Sequence, residues 1–264
     1  MVRRNRTNFR LSYFKMKTKL YFFLLGCLLY FPTHAQKGVK ESMRLATPPV
    51  IDGNVDEWQT DWLLDSKSKF LYNVANDNDN LYIRLKISDA VLQQKVALFG
   101  LTLYFNPEGG SKKGKLGLQY PIKKDMDEMK NEQSGASEKE KSWVELKKTL
   151  IRDAELLELI GLDKDPILSP RVGLMNGIGV TIAVDLYNDL VYEAKIPFKA
   201  YRIDKSKVEN FGLVIETGRL VIKQPLTTGK ATYYRGVRYA APTSSMPQNE
   251  YTSSTTLRLN LKLN

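Results

Sequence analysis

The chain has 264 residues, with 40 basic and 29 acidic side chains and a formal charge of +11. Its only cysteine, Cys27, and its only histidine, His34, both lie in an N-terminal segment that has the pattern of a secretory signal peptide. Without that segment the chain has no thiol nucleophile, no imidazole base, no usual zinc site and no histidine ligand for haem. Carboxylate chemistry, oxygen-ligated calcium and binding without catalysis are left.

Residues 1–35 contain the three parts of a signal peptide. A basic region precedes the apolar run LYFFLLGCLLYF, and Thr33-His34-Ala35 then precedes Gln36. The apolar run is short for a membrane span. We therefore expect cleavage after Ala35 and a mature chain that is periplasmic or secreted, with an uncleaved anchor as an alternative. LLGC, ending at Cys27, resembles a lipoprotein box, but apolar LLYF follows it, so acylation of Cys27 is the less favoured alternative.

Cleavage changes the interpretation of the charge. Seven basic residues leave with the signal, and no acidic residue leaves with them. They are Arg3, Arg4, Arg6, Arg10, Lys15, Lys17 and Lys19. The balance falls to 33 basic against 29 acidic residues, so the charge falls from +11 to +4. A charge this small does not indicate nucleic-acid binding, and no nucleic-acid partner is predicted.

Short segments with strand-like patterns dominate the mature chain. Leu81, Ile83, Leu85 and Ile87 alternate with polar residues, so they share one face of a strand. The strand candidates are 81–87, 98–106, 178–186, 190–196, 211–223, 231–240 and 257–263. Many short strands without a repeat of fixed period predict an all-β protein, an antiparallel jelly-roll-like β-sandwich over residues 36–264.

The polar stretch Asn76-Asp77-Asn78-Asp79-Asn80 separates an apolar run that begins at Tyr72 from the strand candidate at 81–87. Asn and Asp favour reverse turns, so a hairpin turn accounts for this composition. A calcium site is the alternative, with Asp77 and Asp79 as candidate ligands. Calcium needs six to eight oxygens, so other segments would have to supply the rest.

Residues 123–161 interrupt the strands with a charged and helical insertion. The stretch 123–141 is charged, and Ser142 and Glu145 then form a capping box. Apolar residues follow at helical spacing, and Gly161 suits a helix end. They are Leu146, Leu150, Ala154, Leu157 and Ile160. We predict one inserted α-helix that packs on the sandwich surface, with a functional lid as the alternative.

Three stretches in order resemble the family-nine carbohydrate-binding modules and related DOMON-like sandwiches. They are PVIDGNVDEW over 49–58, the segment from Asn80-Leu81-Tyr82 to Asp89, and YEAKIPF over 192–198. The resemblance implies an exported jelly-roll-like sandwich that binds sugars and is often attached to glycan-degrading enzymes. Calcium stabilises some members of the family, so calcium stays an open alternative. Trp58, in the first stretch, is expected to be a core residue and not a sugar platform.

The sugar site is where the chain departs from that family. Carbohydrate-binding members clamp a sugar between a tryptophan after the Asp-ended strand and a second tryptophan near the C-terminus. Here the loop 90–96 has no aromatic residue, and Thr102 stands where the family has an acid. The remaining candidates are Tyr234 and Tyr239 as stacking faces, Arg235 and Arg238 as donors, and Trp143 if the inserted helix lies over the sandwich edge.

Three functions follow from these patterns. The first is a non-catalytic module that binds glycan weakly. The second is an envelope protein that binds another protein through the sandwich and its helix. The third is a glycan-active enzyme that uses paired carboxylates, although no acidic pair stands out in the sequence.

Overall fold

The computed structural model describes residues 38–45, 47–58, 60–122, 143–162, 167–221, 232–234, 237–239 and 250–264. For the strands at 232–234 and 237–239, and for Trp143 and Leu146, only the backbone is described. The predicted signal peptide, the charged stretch 123–141 and Ser142 lie outside the described residues. Those expectations therefore stay predictions.

Fifteen strands and three α-helices occur in the described residues. The strands of the first half are β1 Lys40–Glu41, β2 Met43–Arg44, β3 Leu63–Leu64, β4 Leu71–Asn76, β5 Asn80–Ile87, β6 Leu101–Asn106 and β7 Leu116–Gln119. Those of the second half are β8 Leu157–Ile160, β9 Ile167–Leu168, β10 Gly179–Val184, β11 Leu190–Pro197, β12 Phe211–Thr217, β13 Thr232–Tyr234, β14 Val237–Tyr239 and β15 Thr256–Lys262. The α-helices are α1 Ala90–Phe99, α2 Trp143–Arg152 and α3 Pro170–Met175.

The strands form two large sheets and one small pair. The seven-stranded sheet has the order β1-β15-β12-β6-β7-β8-β9. The six-stranded sheet has the order β10-β11-β5-β4-β2, and β3 also pairs with β4. Strands β13 and β14 pair with each other. Two short edge pairs, β1 with β15 and β2 with β4, are parallel, and the remaining pairs are antiparallel.

The main hydrophobic core combines the apolar faces of both large sheets. Ile83 and Leu85 of β5 belong to the same buried cluster as Leu103 of β6 and Leu213 and Ile215 of β12. These residues recur at every second position because successive side chains of a strand point to opposite faces. The predicted β-sandwich is confirmed, with α2 inserted between β7 and β8.

Helix α1 occupies residues for which the sequence predicted a loop and the start of a strand. Residues 90–96 were expected to be a loop and Leu98 to begin a strand, but the helix runs through Phe99 and β6 begins at Leu101. Leu92, Val96 and Phe99 recur at helical spacing and are buried. Asp89 caps the helix, because its carboxylate accepts hydrogen bonds from the amides of Val91 and Leu92.

Helix α2 is shorter than the sequence predicted. It ends at Arg152, and Leu157–Ile160 forms strand β8, paired with β7. Leu157 and Leu159 are buried on one face of that strand. Burial therefore alternates from residue to residue there and does not follow the helical spacing that the sequence predicted. Helix α3 was not predicted at all. No helix of the described residues is long and apolar enough to span a membrane.

Trp58 is buried, as the sequence predicted, but outside the main core. It packs with Ala75 and Tyr82 in a second, smaller cluster. Ala75 and Tyr82 lie opposite each other on β4 and β5, and neither belongs to the main core. The chain around Trp58 therefore covers the outer face of the six-stranded sheet, and the indole is unavailable to a ligand.

Candidate functional site

The side chains of the predicted aromatic site, Tyr234, Tyr239, Arg235 and Arg238, lie outside the described part of the structure. Tyr234 ends β13 and Tyr239 ends β14, whereas Arg235 is outside the described residues. Strands β13 and β14 pair antiparallel, so Tyr233 faces Arg238 and Tyr234 faces Val237. The single strand expected over 231–240 is therefore wrong, because the chain doubles back within it. Ligand binding by these residues stays a prediction.

Trp143 is the first residue of α2. Its side chain lies outside the description, so its part in ligand binding also stays a prediction.

The polar turn between β4 and β5 is a hairpin turn, as predicted. One carboxylate oxygen of Asp77 accepts hydrogen bonds from the amides of Asp79 and Asn80, at 2.7 and 2.6 Å. The other accepts a hydrogen bond of 2.6 Å from the Tyr82 hydroxyl. Burial opposes the charge on Asp77, but these hydrogen bonds hold its pKa below the usual value. The carboxylate of Asp77 therefore closes the turn.

The metal alternative for Asp77 and Asp79 stays a prediction. Among the residues that the structure describes, no group of three or more acidic, histidine or cysteine side chains is placed to hold a metal ion. Any calcium bound at this turn would need further oxygen ligands from the backbone, from amide side chains or from water.

A cleft of about 300 Å³ opens beside the first turns of α1. We call it the lysine cleft, because three lysines line it together with two acids, two hydroxyl residues and two aliphatic residues. They are Lys67, Ser68, Lys69, Asp89, Val91, Leu92, Lys95, Glu250 and Thr255. Three separate segments of the chain supply them, and this is why the sequence did not reveal the cleft.

The turn between β3 and β4 forms the first wall. Asp65 accepts hydrogen bonds from the amide and the hydroxyl of Ser68, at 2.8 and 2.7 Å. The backbone then adopts a left-handed conformation at Lys69, with φ of 60°. The Lys69 ammonium reaches Asp89 at the start of α1, with an N–O distance of 2.7 Å. That ion pair joins the first wall to the second.

Helix α1 forms the second wall. The carboxylate of Asp89 is used in contacts within the walls of the cleft. It forms the ion pair with Lys69 and accepts hydrogen bonds of 3.1 Å each from the amides of Val91 and Leu92. The hydrogen bond from Lys69 lowers the pKa of Asp89, so this carboxylate is charged at neutral pH. Val91 and Leu92 supply the aliphatic surface of the cleft.

Lys95 is the one cleft lysine that is almost fully buried, with 3% of its surface exposed. Its ammonium donates a hydrogen bond of 3.0 Å to the hydroxyl of Thr255, on the third wall. Burial lowers the pKa of Lys95, while the charges of Glu250 and Asp89 act in the opposite direction. A sequence signal for this residue exists: Lys95 lies three residues after Leu92 and four before Phe99, on the apolar stripe of α1.

The segment before β15 forms the third wall. Thr255 is held by two backbone contacts with Thr217: its carbonyl accepts from the Thr217 amide, and its amide donates to the Thr217 hydroxyl, both at 3.0 Å. The Tyr251 hydroxyl donates to the side chain of Gln94 on α1. These contacts fix the cleft between α1 and the start of β15 in the seven-stranded sheet.

A larger groove of about 800 Å³ lies beside the polar turn. It is lined by Asn78, Asp79, Phe198, Lys199, Arg202, Ile203, Asp204, Lys205 and Ser206. Its polar groups serve local structure: Asp204 accepts from the Ser206 amide and hydroxyl, and Lys205 donates to the carbonyl oxygens of Asp77 and Asn264. The lysine cleft is the better candidate, because it combines a smaller volume with a buried charge.

Two acids of the β10–β11 turn share one lysine. Asp185 and Asp189 lie 2.8 and 3.4 Å from the Lys86 ammonium. Asp185 also accepts hydrogen bonds from the amides of Tyr187 and Asp189, at 2.8 and 2.9 Å. Burial opposes its charge, but the hydrogen bonds from Lys86 and the amides lower its pKa. This carboxylate pair is therefore held in an ion-pair network that stabilises the turn.

Comparison with known proteins gives one distant likeness to report. No protein-family model matches the chain, and the search of curated proteins finds no match. Among solved structures, the chain is similar to a family 9 carbohydrate-binding module from Caldicellulosiruptor kristjanssonii, determined in complex with glucose. The identity is 10%, the TM-score is 0.37, and the match covers 86% of this chain and 95% of that one. At this distance the likeness carries no conclusion about the ligand of this chain.

Proposed function

We propose that this chain is an exported, non-catalytic glycan-binding module and that its ligand occupies the lysine cleft. One observation carries the proposal: Lys95, with 3% of its surface exposed, lines a cleft that also contains Asp89, Glu250 and Thr255 as hydrogen-bonding groups. Binding sites typically combine an apolar lining with a few well-placed polar groups.

The chemistry of a sugar suits such a lining. Each hydroxyl group of a sugar both donates and accepts hydrogen bonds, so it needs donors such as Lys67 and acceptors such as Glu250 and Thr255. The C–H face of the ring is apolar and suits the surface of Val91 and Leu92. Ligand pockets occupy about 300–1,000 Å³, so a cleft at the lower limit fits one or two sugar rings at the end of a glycan.

The predicted aromatic residues remain part of the proposal. Strands β13 and β14 precede Glu250 in the chain, and Tyr234 and Tyr239 are the candidate stacking faces for a longer glycan. Arg235 or Arg238 would donate hydrogen bonds to its hydroxyl groups. Binding by the tyrosines and binding by the cleft are separable, because Tyr234→Ala and Tyr239→Ala leave the cleft lining unchanged.

A glycan array followed by calorimetry tests the proposal. The mature chain, residues 36–264, is screened first, and the best ligand is then titrated into wild type and Thr255→Val. Removal of the Thr255 hydroxyl at nearly constant volume should weaken binding about fivefold, the equivalent of about 1 kcal/mol for one hydrogen bond. Thr181→Val is the matched control, because Thr181 lies on β10 of the other sheet. An array without hits, or equal affinities of Thr255→Val and wild type, would contradict the proposal.

A second surface favours the protein-contact alternative. Helix α3 and strand β9 are adjacent and expose Ile167, Val172, Leu174 and Met175, with 82% of the Met175 surface accessible. Large apolar side chains exposed together are typical of protein interfaces. A Leu174→Asp variant that loses a specific co-purifying envelope protein, while its glycan binding is unchanged, would support this second function.

A further inference from the structure

Lys95 carries a buried charge whose contact partner is neutral. In the described part of the chain its ammonium bonds to the Thr255 hydroxyl, and no carboxylate forms an ion pair with it. Asp89 is already used by Lys69 and by the helix cap. A nearly buried charge is expected to be paired, because transfer of an ion out of water costs several kcal/mol when nothing compensates it.

Lys147 is a second buried lysine, and it does not line the lysine cleft. Its ammonium, on α2, donates to the side-chain oxygen of Gln93 at 2.7 Å and also to the carbonyl of Asn188. Two acceptors from the protein therefore satisfy Lys147 internally. Among the residues that the structure describes, Lys95 has one acceptor, and it lines an open cleft, so a second acceptor has room to come from a ligand.

The charges of the lysine cleft also favour an anion. Three lysines and two carboxylates line it, and one lysine and one carboxylate are already paired, Lys69 with Asp89. The other charged side chains of the lining are two positive ones, Lys67 and Lys95, and one negative one, Glu250. An anionic group beside Lys95 would bring the charge of the cleft lining to zero.

We propose that the cleft selects an acidic glycan, with a uronate carboxylate or a sulfate ester bound to the Lys95 ammonium. This inference rests on the glycan-binding function proposed above and adds the class of glycan. The carboxylate or sulfate accepts from Lys95, and the ring hydroxyls bind at Thr255 and the rim. Glu250, at the rim, lowers the affinity for an anion and excludes glycans with charge close to it.

An array that contains both glycan classes tests the inference on the mature chain. The acidic probes are oligogalacturonate and hyaluronan, with uronates, and chondroitin sulfate, with uronates and sulfate esters. The neutral probes are cellohexaose and xylohexaose. We expect hits among the acidic probes, with affinities that fall as sodium chloride is raised. Hits on chondroitin sulfate without hits on the two uronate probes would assign the contact to sulfate.

Three variants then locate the charge that matters. Lys95→Met should weaken the best acidic ligand at least tenfold, and Glu250→Gln should strengthen it severalfold because one repelling charge is removed. Lys262→Met is the matched control, since it removes one lysine charge on the exposed end of β15. Glu250→Gln keeps the test decisive if Lys95→Met does not fold, because Glu250 is exposed and its replacement leaves the buried contacts intact.

The two proposals fail in different ways. Preference for neutral probes, or acidic binding that neither Lys95→Met nor Glu250→Gln alters, would overturn the acidic-glycan inference while leaving a glycan-binding module. Silence of the whole array would overturn the proposed function itself, and the inference with it.

Discussion

Replacement of Arg84 by methionine should destabilise the fold by about 3–5 kcal/mol, the usual cost of removing one partner of a buried charged network. Arg84 lies on β5 with 2% of its surface exposed. Its guanidinium donates to the side-chain oxygen of Asn73 at 2.9 Å and to the carbonyl of Val55 at 2.8 Å. Two further hydrogen bonds reach the carbonyl and the hydroxyl of Thr60, at 2.5 and 2.9 Å.

Aromatic and acidic neighbours complete the environment of Arg84. Its guanidinium carbon lies 5.1 Å from the centroid of the Trp58 ring and 4.1 Å from that of Trp62. Glu193 occupies the opposite position on β11 and is fully buried. The carboxylate of Glu193 accepts from the Trp58 indole at 2.9 Å and from the Gly53 amide at 2.8 Å. The same charged network therefore attaches residues 53–58 and 60–62 to the outer face of the six-stranded sheet.

The magnitude follows from what Arg84→Met leaves behind. Four acceptor atoms, on Asn73, Val55 and Thr60, lose their donor. Asn73 is buried, and an unsatisfied buried acceptor costs about 1–3 kcal/mol before relaxation, whereas Thr60 is exposed and its oxygens can bond to water. Glu193 also loses the nearby positive charge. A loss of about 4 kcal/mol is a large part of the 5–15 kcal/mol that stabilises a typical domain, and for a chain of this size it lowers the Tm by about 8–16 °C.

The pH dependence identifies the electrostatic part of this loss. Burial raises the pKa of Glu193 above its ordinary value of 4.5, although the Trp58 indole and the Gly53 amide act against the shift. The stability linked to a raised carboxyl pKa is fully present below the unfolded value and is lost as pH rises through the folded value. Removal of Arg84 should raise the pKa of Glu193 further. The destabilisation should therefore be smallest near pH 4.5 and grow toward neutral pH.

Urea unfolding followed by circular dichroism measures these effects in a double-mutant cycle. Wild type, Arg84→Met, Glu193→Gln and the double variant are compared between pH 4.5 and 8. We expect Arg84→Met to cost less in the Glu193→Gln background, because no buried carboxylate is then left uncompensated. Destabilisation below about 1 kcal/mol, or additivity within about 0.5 kcal/mol at neutral pH, would refute the reasoning.

Two further predictions concern the β10–β11 turn and the N-terminus, in addition to the binding tests described above. The pKa of Asp185 is lowered, so its stabilising contribution is present above the ordinary value of 3.8 and is lost as pH falls below it. Asp185→Asn should flatten the acid side of the stability profile in urea titrations, whereas an unchanged acid slope would show that this carboxylate is not linked to folding. Intact-mass analysis of exported protein should give a chain that begins at Gln36. A lipid-modified chain that begins at Cys27 would instead place the protein on a membrane.

Local patterns in the sequence were sufficient for several elements. The alternation from Leu81 to Ile87 predicted β5, and the polar residues around Asp77 predicted the hairpin turn before it. Burial of Trp58 followed from its place after a turn. These features depend on the two-residue period of a strand and on side chains that bond to their own backbone, and both are properties of neighbouring residues.

Other elements fit two patterns, and contacts distant in the chain decided between them. Leu157 and Ile160 continue the helical spacing of the inserted helix, but Leu157–Ile160 also alternates, and pairing with β7 made it a strand. Residues 90–96 were expected to be a loop from the family resemblance, and the apolar run from Leu98 was expected to be a strand, although Gln93 and Lys95 lie on the same helix as the apolar residues. Both are buried in the structure, where Gln93 donates to the carbonyl of Ile87.

The lysine cleft was the feature furthest from prediction by sequence alone. Its central contact joins Lys95 to Thr255 across a separation of 160 residues, and its first wall is a turn between two other strands. Composition and periodicity describe how a segment folds against its neighbours, and they carry no information about which segments meet. The sequence alone therefore predicted that the chain is a β-sandwich, while tertiary packing decided where a buried lysine would line a cleft.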